Sequence, residues 1–211
     1  MRDISEQVVA LGASLFARRL TFGRTGNISV RDGDRILVTP TGASLAALDA
    51  LSVIGTDGRH MGGPEPSKEA FLHAAVYRSR PDAGAVVHLH STYSVAVSCL
   101  DGLPADDVLP PLTAYYVMRV GTLPLLPYHA PGDASLEPLA EQVAGQHTAF
   151  LLANHGPVVA GTDLAAAADA VEELEETARL FLLLQGHRTR PLTAEQVADL
   201  RARTLTTESR Q

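Results

Sequence analysis

In the opening segment, residues 5–20, apolar side chains recur at Val8, Leu11, Leu15 and Phe16 with charged residues between them. That spacing predicts an amphipathic helix ending before Gly23. The period then shortens. Asn27 to Val30 and Arg35 to Thr39 are β-prone runs on either side of Asp32-Gly33-Asp34, and an Asp-Gly pair between two such runs predicts a hairpin. After a second Asp-Gly turn at Asp57-Gly58, a Gly- and Pro-rich loop, residues 62–66, leads into Ser67. Ser67 can cap a helix carrying Phe71, Leu72, Ala75 and Val76, which Pro81 closes.

Ala85 to His90 reads as a buried strand, Ser91 to Ser98 as a short helix, and Pro110-Pro111 opens a loop-rich stretch containing Tyr115 and Tyr116. Residues 135–146 are helical in pattern. Phe150 to Ala153 and Val158 to Ala160 read as strands around an Asn-His-Gly-Pro turn. Asp163 to Leu184 is the longest helical run, and residues 193–203 add a terminal helix with a tail from about residue 204. With no repeat and no linker-like shift in composition, the pattern predicts one α/β domain over 1–211, a sheet layered with helices.

Composition sharpens this picture. The 211 residues, 45% of them hydrophobic, suffice for one buried core. The 17 basic against 24 acidic side chains leave a net charge of -7, which argues against nucleic acid as a partner. Cys99 is the only cysteine, so no intramolecular disulfide is expected, and its apolar neighbours place it in the core. The start, Met-Arg-Asp-Ile-Ser-Glu, has no apolar h-region, and no run of about 18 apolar residues occurs. A cytoplasmic protein without a membrane partner is expected. Glu172, Glu173, Glu175 and Glu176 read as a solvated helix face.

In Val86-Val87-His88-Leu89-His90, the two-residue period of a strand puts both imidazoles on one face with Cα atoms about 7 Å apart. Such a pair is either two hydrogen-bonded histidines or half of a metal site. His155, in a turn between two strand-like runs, offers a third imidazole, and three with an open position suit catalytic zinc. His73, one helical turn after Glu69, is a reserve ligand. Glu69 itself stands where a helix N-terminus stabilises a carboxylate. The loops Gly23-Arg24-Thr25-Gly26-Asn27 and Thr39-Pro40-Thr41-Gly42 offer amides and hydroxyls, a neutral cradle for a phosphate.

In order along the chain, Thr25-Gly26-Asn27-Ile28-Ser29-Val30, Thr39-Pro40-Thr41-Gly42, Pro66-Ser67-Lys68-Glu69, Val87-His88-Leu89-His90-Ser91 and Asn154-His155-Gly156 resemble the class II aldolase/adducin-head family, from about Ser5 to about Gln185. The resemblance implies an α/β/α fold with a largely antiparallel sheet and a homotetramer with interfacial active sites. It also implies a zinc ion on His88, His90 and His155, with Glu69 as acid/base and additional ligand. The phosphate pocket would be Gly26, Asn27, Thr41, Gly42 and Ser67. A tyrosine at Tyr115, or the adjacent Tyr116, would assist protonation.

Where the aldolase branch usually has Ser-Ser-Glu, this chain has Ser67-Lys68-Glu69. That form, with Leu109-Pro110-Pro111-Leu112-Thr113, Tyr128 and Pro131-Gly132-Asp133, looks more like the branch of 3-oxo-tetronate 4-phosphate decarboxylases. The resemblance therefore implies loss of CO2 from a small phosphorylated sugar acid through an enediolate of dihydroxyacetone phosphate, in acid-sugar catabolism. Lys68 either pairs with the substrate carboxylate or phosphate or is a solvated surface lysine. Sugar-phosphate aldolase, epimerase or dehydratase activity and a non-catalytic association module are the alternatives.

Overall fold

A computed structural model describes residues 3–208. Its first half holds α1 (Ile4–Ala17), the strands β1 (Asn27–Asp32), β2 (Arg35–Val38), β3 (Ser52–Gly55) and β4 (His60–Gly62), then α2 (Ala70–Ser79) and β5 (Ala85–His88). The second half holds α3 (Thr92–Ser98), α4 (Ala114–Arg119), β6 (Leu125–Leu126), α5 (Glu137–Ala144), β7 (Ala149–Leu152), β8 (Gly156–Gly161), α6 (Leu164–Leu183) and α7 (Ala194–Glu208). A 3₁₀ turn, Ala134–Leu136, precedes α5.

The strands form one sheet in the order β4-β3-β2-β1-β5-β8-β7-β6. Every pairing is antiparallel except β6 with β7. The Asp-Gly hairpin joins β1 and β2 with Asp32 opposite Arg35. The central strands bury both faces, and strict alternation divides their side chains between two layers. Ala85, Val87 and Leu89 join Ile28, Val30, Leu15, Tyr116 and Leu174 in one core. Val86 joins Ile36, Ile54, Leu72, Tyr77 and Phe150 in the other. Helices α1, α3, α4 and α6 cover the first face, α2 and α5 the second, giving the expected α/β/α arrangement. Each fully buried Leu, Ile or Phe contributes roughly 1.5–3 kcal/mol.

Several local expectations change. The strands β3, β4 and β6, of two to four residues each, are too short to declare themselves by period. Tyr115 and Tyr116 lie on α4 rather than in a loop, because the Thr113 hydroxyl accepts from the Tyr116 amide and starts a helical turn. Cys99 is exposed, not in the core, since it follows the last turn of α3. The strand from Ala85 stops at His88, leaving His90 beyond the ladder. The backbone of α7 continues to Glu208, past the expected start of a tail.

The acidic run on α6 is not one solvated face. Glu175 is buried and accepts from the amides of Tyr93 and Ser94, at 2.8 Å each, and from the Ser94 hydroxyl at 2.7 Å. It supplies the cap that Ser91 does not give α3. Glu172 pairs with Arg18, and Glu173 accepts from Thr113. Of the four, Glu176 alone is exposed, paired with Arg179 of its own helix.

Candidate metal and proton-transfer site

Three chain segments converge at the end of β5. His88 is the last residue of that strand and points to the face that Val86 shares, while Leu89 packs with the opposite core. His90 follows it on the same side. His155 comes from the β7–β8 turn, where Asn154 adopts a left-handed φ of 56°. The turn sits close against the strand: a Cβ at Gly156 would lie 2.2 Å from the Leu89 carbonyl oxygen. Glu69 stands at the N-cap of α2 but makes no capping bond. The Ser67 hydroxyl accepts from its amide instead, so the carboxylate turns into the cluster. The helix begins one residue after it, not before.

The ligand atoms of Glu69, His88, His90 and His155 all lie within 4.8 Å of one another. His155 Nε2 is 3.0 Å from His90 Nε2 and 3.3 Å from Glu69 Oε1. His88 Nε2 is 3.3 Å from Glu69 Oε2 yet has no hydrogen-bond partner, although fully buried. Its Nδ1 donates to the Pro157 carbonyl at 2.8 Å, which fixes the tautomer and leaves Nε2 bare. Ligands of a tetrahedral zinc at 2.0–2.1 Å stand about 3.3 Å apart. The orphaned Nε2, the converging imidazoles and these separations fit a divalent cation.

Electrostatics agree. Burial opposes charge on Glu69, but His88 and His155 beside it outweigh that and hold its pKa well below the usual carboxylate range. Burial and the neighbouring positive charges push His90 down to about 3 and His155 to about 4. For His88 burial acts downward, but Glu69 prevails and raises it. Two neutral imidazoles and a carboxylate are what a cation requires.

His73 is not a ligand. It is fully buried, with one ring nitrogen facing Asn27 Oδ1 and the other 2.6 Å from Ser29 Oγ. Asn27 Nδ2 donates to Glu69 Oε2 at 3.0 Å, so this amide faces inward rather than into a phosphate loop. Of the other residues expected at the phosphate, Thr41 and Ser67 lie on loops joined by backbone hydrogen bonds. Thr41 donates its amide to Glu65, and Ser67 donates its own to Thr39, tying the two loops together. Gly42 lines a side cleft of about 420 Å³ that also carries Arg24 and Asp49, one charge of each sign. Gly26, at φ 78°, lies against the His88 carbonyl, 2.9 Å from where a Cβ would be.

Lys68 is exposed beside Glu69, and its Cβ would meet a side chain placed at Gly132 at 3.3 Å. Tyr116 is fully buried in the core, which leaves Tyr115, 60% exposed, as the accessible one of these two. Its ring meets Arg119 of its own helix. It is not among the residues of the cleft of about 460 Å³ that opens beside His90 and His155. Phe22, Tyr128, His129 and Pro131 line that cleft. Sequence spacing had no means of assigning them, since loop residues carry no period.

Among curated proteins, the chain is 50% identical over 208 residues to the 3-oxo-tetronate 4-phosphate decarboxylase of Haemophilus influenzae, covering 96% of this chain and 99% of that protein. It is 33% identical over 184 residues to the L-fuculose phosphate aldolase of Escherichia coli, covering 85% and 82%. The crystal structure of YgbL from Escherichia coli superposes with a TM-score of 0.90 at 46% identity, covering 93% and 96% of the two chains. Residues 6–182 match the family described as Class II Aldolase and Adducin N-terminal domain, and the chain belongs to that family.

Proposed function

We propose that this protein is a carbon–carbon lyase that decarboxylates a 3-oxo-tetronate 4-phosphate to dihydroxyacetone phosphate and CO2. The observation that carries the reading is near-full-length identity of 46–50% to proteins named for this activity. The cluster of His88, His90, His155 and Glu69 supports it.

These four residues would hold a divalent ion, zinc by its liking for three imidazoles and a carboxylate. Such an ion supplies a Lewis acid toward the C3 carbonyl of the substrate. Cleavage of the C1–C2 bond sends its electron pair toward C3, CO2 leaves, and C2 must then receive a proton. Glu69, aimed into the cluster and fixed by Asn27, carries that proton to C2, with one solvent proton taken up per turnover. Lys68, exposed beside it, pairs with the substrate carboxylate or phosphate. Gly26, Thr41, Gly42 and Ser67 bound the phosphate end.

Tyr115 stands off the cleft of its own chain, so a protonating role for it requires a second subunit. A homotetramer with interfacial sites, working in the cytoplasm, is the assembly this reading takes. No helix among the described residues is long and apolar enough to cross a membrane.

Offering the purified protein D- and L-3-oxo-tetronate 4-phosphate and following CO2 and dihydroxyacetone phosphate tests the reading. Release of CO2 from one form is expected. No release from either, with aldol formation from dihydroxyacetone phosphate and lactaldehyde, would instead establish the aldolase that the 33% relative suggests.

A further inference from the structure

Two polar rows meet between β1 and α2. On the strand, Asn27, Ser29 and Arg31 recur every two residues; on the helix and its entrance, Glu69, His73 and Tyr77 recur every four. Two strand residues advance about 6.6 Å and four helical residues about 6 Å, so the rows keep step. Asn27 bridges Glu69 and His73, and Ser29 bridges His73 and Tyr77. Arg31 closes the row, its guanidinium 4.8 Å from the centre of the Tyr77 ring.

Donor and acceptor chemistry fixes every proton in this row. The Glu69 carboxylate only accepts, so Asn27 presents Nδ2 to it and Oδ1 to His73. His73 must then carry its proton on Nε2. Its Nδ1 is left to accept from Ser29 Oγ at 2.6 Å, and Ser29 in turn accepts from the Tyr77 hydroxyl at 3.0 Å. All donations run one way, toward Glu69. The four side chains behind the carboxylate are at most 5% exposed, where low dielectric strengthens such a chain.

We infer that Asn27 and His73 are positioning residues for Glu69, holding Oε2 in place so that Oε1 stays directed at His155. The inference rests on the reading of Glu69 as ligand and acid/base above. It makes the holding of Glu69 the main role of Asn27, whose Nδ2 and Oδ1 are both engaged on the inner side, with Glu69 and His73.

The test is zinc affinity, measured on the full chain without substrate by competition with a chromophoric chelator, for wild type, Asn27→Ala, Ser29→Ala, His73→Leu and His73→Gln. Steady-state kinetics and inhibition by inorganic phosphate are measured alongside. Asn27→Ala and His73→Leu are expected to weaken zinc by about 10- to 100-fold, the usual effect of losing an outer partner of a ligand. They lower kcat while KM and phosphate inhibition hold. His73→Gln, which keeps an N–H for Asn27, recovers most of both losses. If His73→Leu fails to fold, Asn27→Ala and Ser29→Ala carry the comparison. Unchanged zinc affinity in folded Asn27→Ala overturns the inference, as does weakened phosphate inhibition with kcat intact. So does a wild-type protein that binds no zinc. If wild type binds zinc but releases no CO2, the decarboxylase reading fails while the affinities still decide the positioning role.

Discussion

His90 Nε2 and His155 Nε2 face each other at 3.0 Å across 65 residues of sequence. Either one ring donates to the other or both turn a lone pair to a shared cation, and the metal reading proposed above takes the second arrangement. Removal of divalent metal with a chelator is expected to abolish activity, and zinc to restore it. His155→Ala should cost at least about tenfold in metal affinity, read as zinc content after dialysis. Full activity in metal-free protein would refute the assignment.

Glu69→Gln keeps the size of the side chain but removes the transferable proton. Zinc should remain on the three histidines, while kcat falls by roughly 10²- to 10⁴-fold, the range general acid–base groups supply. Equal turnover in the variant and wild type would assign the proton to another group.

Lys68→Ala tests the residue that separates this chain from the Ser-Ser-Glu pattern. Lys68 is exposed, and if it pairs with substrate as proposed, KM should rise with kcat nearly kept. An unchanged KM returns Lys68 to the solvated surface.

Burial holds His73 down to about 3, against 6.5 for a free histidine, with His88 adding to the depression. Below pH 6.5 the unfolded chain takes up a proton that the folded chain refuses until about pH 3. Stability present above pH 6.5 is therefore lost as pH falls toward 3, by up to about 1.4 kcal/mol per pH unit for this group. The melting temperature of metal-free wild type should drop more steeply between pH 6 and 4 than that of His73→Gln. Parallel slopes would contradict this.

Much of the site was legible because local spacing and geometry coincide. His-x-His at a strand end, a His-Gly turn between strands and a carboxylate at a helix entrance come together within 4.8 Å. The β1–α2 row was equally present, as Asn-x-Ser-x-Arg against Glu-x₃-His-x₃-Tyr. Neither half has meaning until β1 and α2 are known to pack together. Cys99 and Glu175 were misplaced for the opposite reason. Average polarity of a segment put the thiol inside and the carboxylate outside, whereas the end of α3 exposes one and the start of α3 needs the other.

Glu175 gives that last point a measurable consequence. Its two oxygens accept from two amides and a hydroxyl at the start of α3, the helix that follows His90 directly. Glu175→Gln keeps the volume but replaces one acceptor oxygen with a donor, setting an NH2 against an amide N–H. A buried donor left without a partner costs about 1–3 kcal/mol, so a clear fall in melting temperature is expected. Because α3 anchors the chain just after His90, zinc affinity should fall as well. Glu176→Gln, exposed one residue along, serves as control and should change neither. If both substitutions act alike, the acidic run is the solvated face that its composition suggested.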